Sequence, residues 1–205
     1  MIGRPAPYRL FVVSSRSYLN SVWDFRTVGD TNVPLTGGVI VASTHQSHLD
    51  PWILQACLTR RLRYMARSTL FANPLFGGMI RGLGAIPFDR EATSATAMKN
   101  LAAEVKKGEA LGMFPEGTRS RDGEIGKLKP GIALLIRRSK APVVPAAIEG
   151  TFDCWPRHKK IFRPGRVRIV IGEPMTFERS EGRKEVLGRL GERLHSLRNE
   201  ARAMA

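Results

Sequence analysis

The chain has 205 residues, which fits one domain with enough length to bury a sizeable core. Its 33 Lys and Arg residues against 18 Asp and Glu give a formal net charge of +15. Such an excess favours a polyanionic partner, either nucleic acid or an anionic membrane surface. Two cysteines are too few for a disulfide scaffold, no apolar run reaches the length of a membrane span, and the N-terminus lacks a secretory pattern. These features argue against secretion and against a segment that spans a bilayer.

The hydrophobic pattern alternates between helical and strand segments along the chain. Residues 8–25 mix aromatic, aliphatic and arginine side chains, which predicts an amphipathic helix that either lies on a membrane or packs on the domain. After a turn over 30–38, the pattern predicts strands at 38–42, 62–66, 84–88, 111–114, 143–148 and 167–171, helices at 51–58, 91–107, 132–138 and 181–205, and a short helix or loop at 71–83. This alternation predicts an α/β fold: a single layered domain with a mainly parallel sheet flanked by helices.

A loop with two histidines and an aspartate joins the first buried strand to the next helix. A tight turn would bring His45 and Asp50 into hydrogen-bond contact, as a general base oriented by a carboxylate requires. Asp50 also precedes Pro51, the pattern of a helix cap followed by proline. One carboxylate oxygen could therefore cap the helix while the other orients His45, or the carboxylate could serve the helix alone. Neither Ser47 nor Cys57 lies where this base would activate it, so we expect direct activation of a substrate hydroxyl.

Two further strand ends carry arginines. The strand at 84–88 leads to Arg90, and the strand at 111–114 leads into a loop with Glu116, a glycine, a threonine and Arg119. A loop that offers backbone N–H groups beside a guanidinium suits an oxyanion, especially a phosphate. Each arginine alone could be a solvated loop charge. In an open α/β sheet, however, these loops face one crevice with the histidine loop, which predicts a base beside an anion site.

Two other classes of site fit parts of the sequence. A metal site would use His45, His48 and Asp50, but no second cluster of ligand residues supports it, so we expect no metal. A nucleic-acid-binding module would explain the net charge. It would leave the histidine loop unexplained, and the chain carries no recognised nucleic-acid motif.

Four short blocks resemble, in order, those of the glycerolipid acyltransferase family. They are His45-x4-Asp50, GAIPFDR at 84–90, FPEGTR at 114–119 and VPAAIEG at 144–150. A lone HxxxxD is a weak signal, whereas four blocks in the same order are specific. The resemblance implies transfer of an acyl group from acyl-CoA or acyl-carrier protein to a lysophospholipid hydroxyl. The expected acceptor is the sn-2 hydroxyl of 1-acyl-glycerol 3-phosphate, and the expected product is phosphatidic acid.

The resemblance also implies roles for individual residues. His45 would be the general base and Asp50 its orienting partner. The residues implied to bind substrate are Arg67, Arg90, Glu116, Gly117, Thr118, Arg119 and Pro145. Arg67 stands where family members often carry a lysine, and its planar guanidinium can hold phosphate with a different geometry. Pro145 would help shape the acyl or acceptor pocket, and the others would bind the glycerol phosphate.

The resemblance further implies the partners and the location of the chain. No cofactor is expected, because a thioester donor is already activated and acts as co-substrate. Residues 1–30 would be an amphipathic membrane-associating segment, and residues 31–205 the acyltransferase domain. We expect a peripheral or monotopic protein on the cytoplasmic face of the cell membrane, docked on anionic lipid, with no nucleic-acid partner. The alternative is an acyltransferase of the same fold that uses glycerol 3-phosphate, another lysolipid or a glycolipid hydroxyl.

Overall fold

A computed structural model describes residues 6–82, 84–88, 94–159 and 161–204. Within these ranges the helices are α1 (Ala6–Val22), α2 (Asp50–Cys57), α3 (Pro74–Gly82), α4 (Ser94–Lys106), α5 (Pro130–Ser139), α6 (Thr151–Cys154) and α7 (Arg183–Ala203). The strands are β1 (Asp24–Val28), β2 (Val39–Ser43), β3 (Arg63–Arg67), β4 (Ala85–Phe88), β5 (Ala110–Met113), β6 (Val143–Glu149) and β7 (Arg166–Ile171). Short 3-10 helices cover Asp30–Asn32 and Ser68–Phe71.

The strands form one sheet in the order β1-β7-β6-β2-β5-β3-β4. Strands β6, β2, β5, β3 and β4 run parallel to one another, whereas β7 is antiparallel to β6 and pairs in parallel with β1. The predicted α/β fold with a mainly parallel sheet is therefore confirmed. Because the five parallel strands end at the same edge, the loops that follow them meet there. We call this edge the carboxyl edge.

Alternate residues of β2 contribute to apolar cores on the two faces of the sheet. Val39 and Val41 pack with α1 and α2 on one face, while Ile40 and Ala42 pack with α4, α5 and α7 on the other. All five residues of β2 are buried, as its β-branched sequence predicts. The apolar stripe predicted for α4 is also buried, through Met98, Leu101, Ala102 and Val105.

The N-terminal region differs from the single helix predicted over residues 8–25. Its last part forms the edge strand β1 instead. Asp24 accepts hydrogen bonds from Arg166 at 3.1 Å and from Arg168 at 2.8 Å, both on the neighbouring strand β7. This strand is therefore held by partners far along the chain, which a local hydrophobic pattern cannot reveal.

Helix α1 packs on the domain through one face and exposes apolar residues on another. Leu19 is fully buried, and the indole Nε1 of Trp52 in α2 donates to the Ser15 hydroxyl at 2.9 Å. Leu10 and Val13, by contrast, are 70% and 54% exposed. The packing alternative is thus confirmed for one face of the helix. Among the described residues, no helix combines the length and the hydropathy needed to cross a bilayer.

Two ambiguous segments receive definite structures. The segment at 71–83, predicted as a short helix or a loop, contains α3, which follows a 3-10 turn. Pro87 lies in β4, the last strand in the sheet order. One side of this strand has no neighbouring strand, so a proline, which lacks a backbone N–H, is tolerated there.

Candidate active site

Three loops at the carboxyl edge form the candidate active site. They follow β2, β5 and β6, which are neighbours in the sheet. The backbone N–H of Ser120 donates to the carbonyl of His45 at 2.7 Å, and this bond joins the first two loops. The hydroxyl of Ser47 donates to the carbonyl of Trp155 at 2.8 Å, and this bond joins the first loop to the third. The histidine loop is therefore held between the other two.

The predicted contact between His45 and Asp50 is present. The Nδ1 atom of His45 lies 2.8 Å from Oδ2 of Asp50, whose side chain is completely buried. The same oxygen accepts the backbone N–H groups of Gln46 at 2.6 Å and Ser47 at 2.7 Å. The other oxygen accepts the hydroxyl of Thr151 at 2.7 Å. Three donors from the histidine loop and one from the first residue of α6 thus fix the carboxylate that orients the imidazole.

This arrangement corrects the expected capping role of Asp50. Helix α2 begins at Asp50 itself, its N-cap is Leu49, and no side chain caps it. Among the described residues, the hydrogen bonds of the carboxylate go instead to its own loop and to Thr151. Asp50 therefore serves the histidine loop, and Pro51 starts the helix because its fixed φ suits the first turn.

The imidazole of His45 is placed by stacking as well as by its hydrogen bond. Its ring lies 4.0 Å from the ring of Phe114, with 19° between the planes. Phe114 in turn stacks on Tyr64 at 6.2 Å. The side chain of His45 is 17% exposed. With Nδ1 donating to the carboxylate, the tautomer leaves the lone pair on Nε2, where a base needs it.

Glu116 lies beneath the loop that was expected to bind phosphate. It is 3% exposed, and its two oxygens accept the backbone N–H groups of His45 and Gly126, each at 2.8 Å. Burial raises the pKa of this carboxyl, while the two backbone bonds oppose the rise. The bond with His45 ties the loop of Glu116 to the histidine loop, and the expected role of Glu116 in binding the substrate stays a prediction.

Gly117, Thr118 and Arg119 form the surface of the same loop. Gly117 has φ +68°, a left-handed conformation that favours glycine, and both it and Thr118 are exposed. Arg119 is half-buried. Burial, followed by the positive charge of Arg119, lowers the pKa of His48, whose ring lies 5.1 Å from that of Trp155. The guanidinium of Arg119 therefore acts on the same edge as the histidine loop.

A cavity of about 250 Å³ opens beside the imidazole. It is lined by His45, Pro51, Tyr64, Met65, Gly112, Met113, Phe114 and Gly117. A second cavity of about 150 Å³ shares Met65 and is otherwise lined by Ile86, Pro87, Phe88, Ala97, Asn100 and Leu101. The lining of the first cavity combines the imidazole of His45 with apolar side chains such as Tyr64, Met65 and Met113, so it suits an amphiphilic substrate.

The width of this cavity depends on a glycine opposite an aromatic ring. A Cβ atom on Gly112 would stand 2.2 Å from Cε1 of Tyr64, so only glycine leaves room for the ring there. The hydroxyl of Tyr64 is buried, and no hydrogen-bond partner for it occurs among the described residues. Burial raises the pKa of this phenol well above its ordinary value. Tyr64 is therefore a neutral, mainly apolar wall of the site.

The two thiols of the chain do not suit nucleophilic catalysis. Burial raises the pKa of Cys57 to about 12 and that of Cys154 to about 11, so both stay protonated near neutral pH. Among the described residues, no group of three His, Cys, Asp or Glu side chains gathers as metal ligands do. The chemistry that the described residues can offer is proton transfer by His45 beside a cation.

Comparison with known proteins identifies the family. A family model described as Acyltransferase matches residues 24–149, which is more than half of the chain. The chain belongs to the Acyltransferase family. It is similar to the 1-acyl-sn-glycerol-3-phosphate acyltransferase of Bacillus subtilis strain 168, with 34% identity over 145 residues that cover 70% of each chain.

Two further relatives show how far the similarity extends. The chloroplastic 1-acyl-sn-glycerol-3-phosphate acyltransferase BAT2 of Brassica napus is 32% identical over 139 residues, which cover 66% of this acyltransferase and 40% of the plant protein. The crystal structure of the 1-acyl-sn-glycerophosphate (LPA) acyltransferase PlsC from Thermotoga maritima has 25% identity and a TM-score of 0.80. That likeness covers 97% of this chain and 78% of the other. The fold is thus shared nearly throughout.

The remaining predicted site residues of this acyltransferase are Arg67, Arg90 and Pro145, and the structure describes them to different extents. Arg67 is the last residue of β3, so its backbone reaches the carboxyl edge, and its side chain lies outside the described part. Arg90 lies outside the described residues altogether. Pro145 is buried within β6, where it pairs with Ala42 and contacts Gly172. It is not among the residues that line the cavity beside His45, and its role in shaping an acyl or acceptor pocket stays a prediction.

Several residues of the site were missed in the sequence. Tyr64 and Gly112 face each other across β3 and β5, a pairing that no local pattern predicts. Thr151 could have been found only as a neighbour of the fourth block, since its hydroxyl reaches Asp50 from another loop. Phe114 was quoted within the third block, but only the structure shows it stacked on His45.

Proposed function

We propose that this acyltransferase transfers an acyl group to the free sn-2 hydroxyl of 1-acyl-glycerol 3-phosphate, which gives phosphatidic acid. The observation that carries the proposal is the 2.8 Å contact between Nδ1 of His45, which lines the cavity, and the buried carboxylate of Asp50. The similar proteins from Bacillus subtilis and Thermotoga maritima, both named as acyltransferases of 1-acyl-sn-glycerol phosphates, support the same acceptor.

The reaction follows from the tautomer of His45. Nε2 accepts the proton of the acceptor hydroxyl while that oxygen attacks the thioester carbonyl of the donor. The tetrahedral intermediate then collapses, the carbon–sulfur bond breaks, and the leaving thiolate takes the proton from the imidazolium. Asp50 stabilises the transient positive charge and does not itself change protonation state.

The acceptor phosphate is assigned to the exposed loop of Gly117, Thr118 and Arg119. The left-handed turn at Gly117 and the half-buried guanidinium of Arg119 offer a backbone and a charge-assisted donor site on one surface. Arg67 and Arg90 are proposed to complete this cation set, because Arg67 ends β3, Arg90 follows β4 in the sequence, and both strands end at the carboxyl edge.

The acyl donor is proposed to be acyl-CoA or acyl-carrier protein. Both present a thioester, which needs no metal for activation. The apolar side chains of Tyr64, Met65 and Met113, which line the cavity beside His45, would contact the acyl chain of the reacting lipid. Supplying the same acyl chain on each carrier in turn, at equal concentration, separates the two donors by their rates.

Attachment to an anionic lipid surface is proposed through exposed apolar residues with unpaired cations nearby. Ile161 is 79% exposed and Phe162 is 38% exposed, while Arg157 and Arg163 make no ion pair within the described residues. This segment adjoins the site, because the carbonyl of Trp155 accepts the hydroxyl of Ser47. Each cation near an anionic surface contributes about 1 kcal/mol. Residues 1–30, through the exposed Leu10 and Val13, would add to this contact on the cytoplasmic face of the membrane.

Vesicle sedimentation tests this attachment with a matched control. Ile161→Asp is expected to lower binding to vesicles that contain phosphatidylglycerol. Leu35→Asp is expected to leave binding unchanged, because Leu35 is 72% exposed but precedes β2 at the opposite edge. Binding that is equal for both variants, or that ignores salt and anionic lipid, contradicts the proposed surface.

An acceptor panel tests the function itself. One acyl donor is supplied with 1-acyl-glycerol 3-phosphate, glycerol 3-phosphate, a lysolipid without a free phosphate monoester, and a glycolipid. The proposal predicts phosphatidic acid acylated at sn-2 as the main product. Preferential acylation of any other acceptor overturns the substrate assignment, and transfer to none of them overturns the reaction.

A further inference from the structure

Arg198 in α7 is a buried arginine that lies outside the region matched by the family model. Its side chain is only 3% exposed, although arginines are rarely buried unless all their donors are used. Nε donates to Glu149 at 2.7 Å, Nη1 donates to Glu124 at 2.7 Å, and Nη2 donates to the carbonyl of Gly123 at 2.5 Å. One guanidinium therefore joins the C-terminal helix to the end of β6 and to the loop after β5.

Gln46, the neighbour of His45, uses two of the same acceptors. Its Nε2 donates to the carbonyl of Gly123 at 2.8 Å and approaches the carboxylate of Glu149 at 3.4 Å. Gln46 is 2% exposed, so solvent does not compete for the hydrogen bonds of its side-chain amide. Its backbone N–H is the 2.6 Å donor to Oδ2 of Asp50, the oxygen that also holds His45.

We propose that Arg198 is a positioning residue for acyl transfer, acting through Gln46. By fixing the carbonyl of Gly123 and the carboxylate of Glu149, it sets the position of the Gln46 amide. The position of Gln46 in turn fixes its backbone N–H, which donates to the Asp50 carboxylate and helps to orient it. The role rests on the proposed function, since it is defined by the rate of that reaction.

The geometry separates this role from ordinary support of the fold. Arg202, one helical turn further along α7, also pairs with Glu124 at 2.8 Å and with Glu149 at 3.4 Å, but it is 45% exposed. None of the hydrogen bonds described for Arg202 reaches Gly123 or Gln46. The two arginines therefore share their carboxylates, and only Arg198 shares the carbonyl acceptor of Gln46.

The test compares Arg198→Lys with Arg202→Lys. A lysine keeps the charge but cannot place three donors in one plane. We expect Arg198→Lys to lower kcat about 10-fold per folded molecule, because a small misplacement of a base is costly, with the KM for the acceptor changed less than about twofold. Arg202→Lys is expected to leave both constants within about twofold.

A double-mutant cycle decides whether the effect passes through Gln46. Gln46→Ala and Arg198→Lys are expected to be non-additive, so that the double variant is hardly slower than the slower single one. Losses in kcat that multiply, or a fall that only follows the folded fraction measured by circular dichroism, overturn the proposal. A wild-type chain without acyl transfer overturns the proposed function instead, which is a different result.

A second variant guards against failure of Arg198→Lys to fold. Glu149→Gln keeps the shape of the side chain and one acceptor oxygen while it removes the charge that Arg198 and Gln46 share. It is expected to lower kcat about threefold and to show the same non-additivity with Gln46→Ala. Full additivity in this cycle also overturns the proposal.

Discussion

The two sides of the candidate site are built in different ways. On the base side, Asp50 and Glu116 are buried, and their oxygens accept defined donors from the neighbouring loops. On the anion side, Gly117 and Thr118 are exposed and Arg119 is half-buried. A base must be held in one geometry, whereas a phosphate can be met by charge over a wider range of positions. Changes on the base side should therefore act on kcat, and changes on the anion side on KM.

The largest effect is expected on the base side, from Asp50→Asn. The amide oxygen can take the place of Oδ2, but the side chain then carries no negative charge to hold the imidazole and to stabilise its protonated form. We expect kcat to fall about 100-fold with the acceptor KM little changed. Steady-state kinetics on the folded variant measures this, with thermal unfolding as the control. A kcat within about threefold of wild type contradicts the orienting role.

A smaller effect is expected on the anion side, from Arg119→Gln. Loss of the guanidinium should raise the KM for the lysophospholipid about 10-fold and leave kcat nearly unchanged, because a charge-assisted bond to the phosphate is lost in ground and transition states alike. Arg121→Gln is the matched control, since Arg121 lies in the same loop and is exposed. Equal effects of the two variants would show that Arg119 acts only through the net charge.

The smallest effect concerns the stability of the loop that carries the anion side. Hydrogen bonds from Arg198 and Arg202 lower the pKa of Glu124 to about 2. The folded state thus binds fewer protons than the unfolded state between the ordinary glutamate value and about pH 2. The stabilisation is fully present above this window and is lost as the pH falls through it.

Denaturant titrations at pH 6, 5, 4 and 3 test this dependence. The free energy of unfolding of Glu124→Gln is expected to fall less steeply with acid than that of wild type. Glu173→Gln is the control, because Glu173 is exposed and forms no ion pair within the described residues. Parallel curves for wild type and Glu124→Gln contradict the ion-pair account.

The base side was largely predictable from the sequence, and the anion side only in outline. The spacing of His45 and Asp50 after a buried strand is a local pattern, and the turn that joins them is local as well. Glu116 was placed in the right loop, but its hydrogen bond with the backbone of His45 was not predicted, because that partner belongs to another strand-end loop. A contact between residues close in the sequence could be predicted, whereas a contact between two loops could not.

The fold shows the same division. The alternation of buried strands and helices predicted the layered α/β sheet, since each pattern repeats over a few residues. Strand β1 was missed because Arg166 and Arg168, which hold it, come from β7. The network of Arg198 was missed for the same reason, since its partners lie on β6 and in the loop after β5. Contacts that form only when distant strands pair in the sheet cannot be predicted from a short segment of the sequence.

The most direct measurement is the single-turnover rate of acyl transfer by His45→Ala. The variant keeps the buried Asp50 and the anion side of the site, so it should remain folded and still bind 1-acyl-glycerol 3-phosphate. With the acceptor saturating and one thioester donor, we predict a rate about 10²–10⁴-fold below that of wild type. A folded variant that forms phosphatidic acid at nearly the wild-type rate would contradict the assignment of His45 as the base.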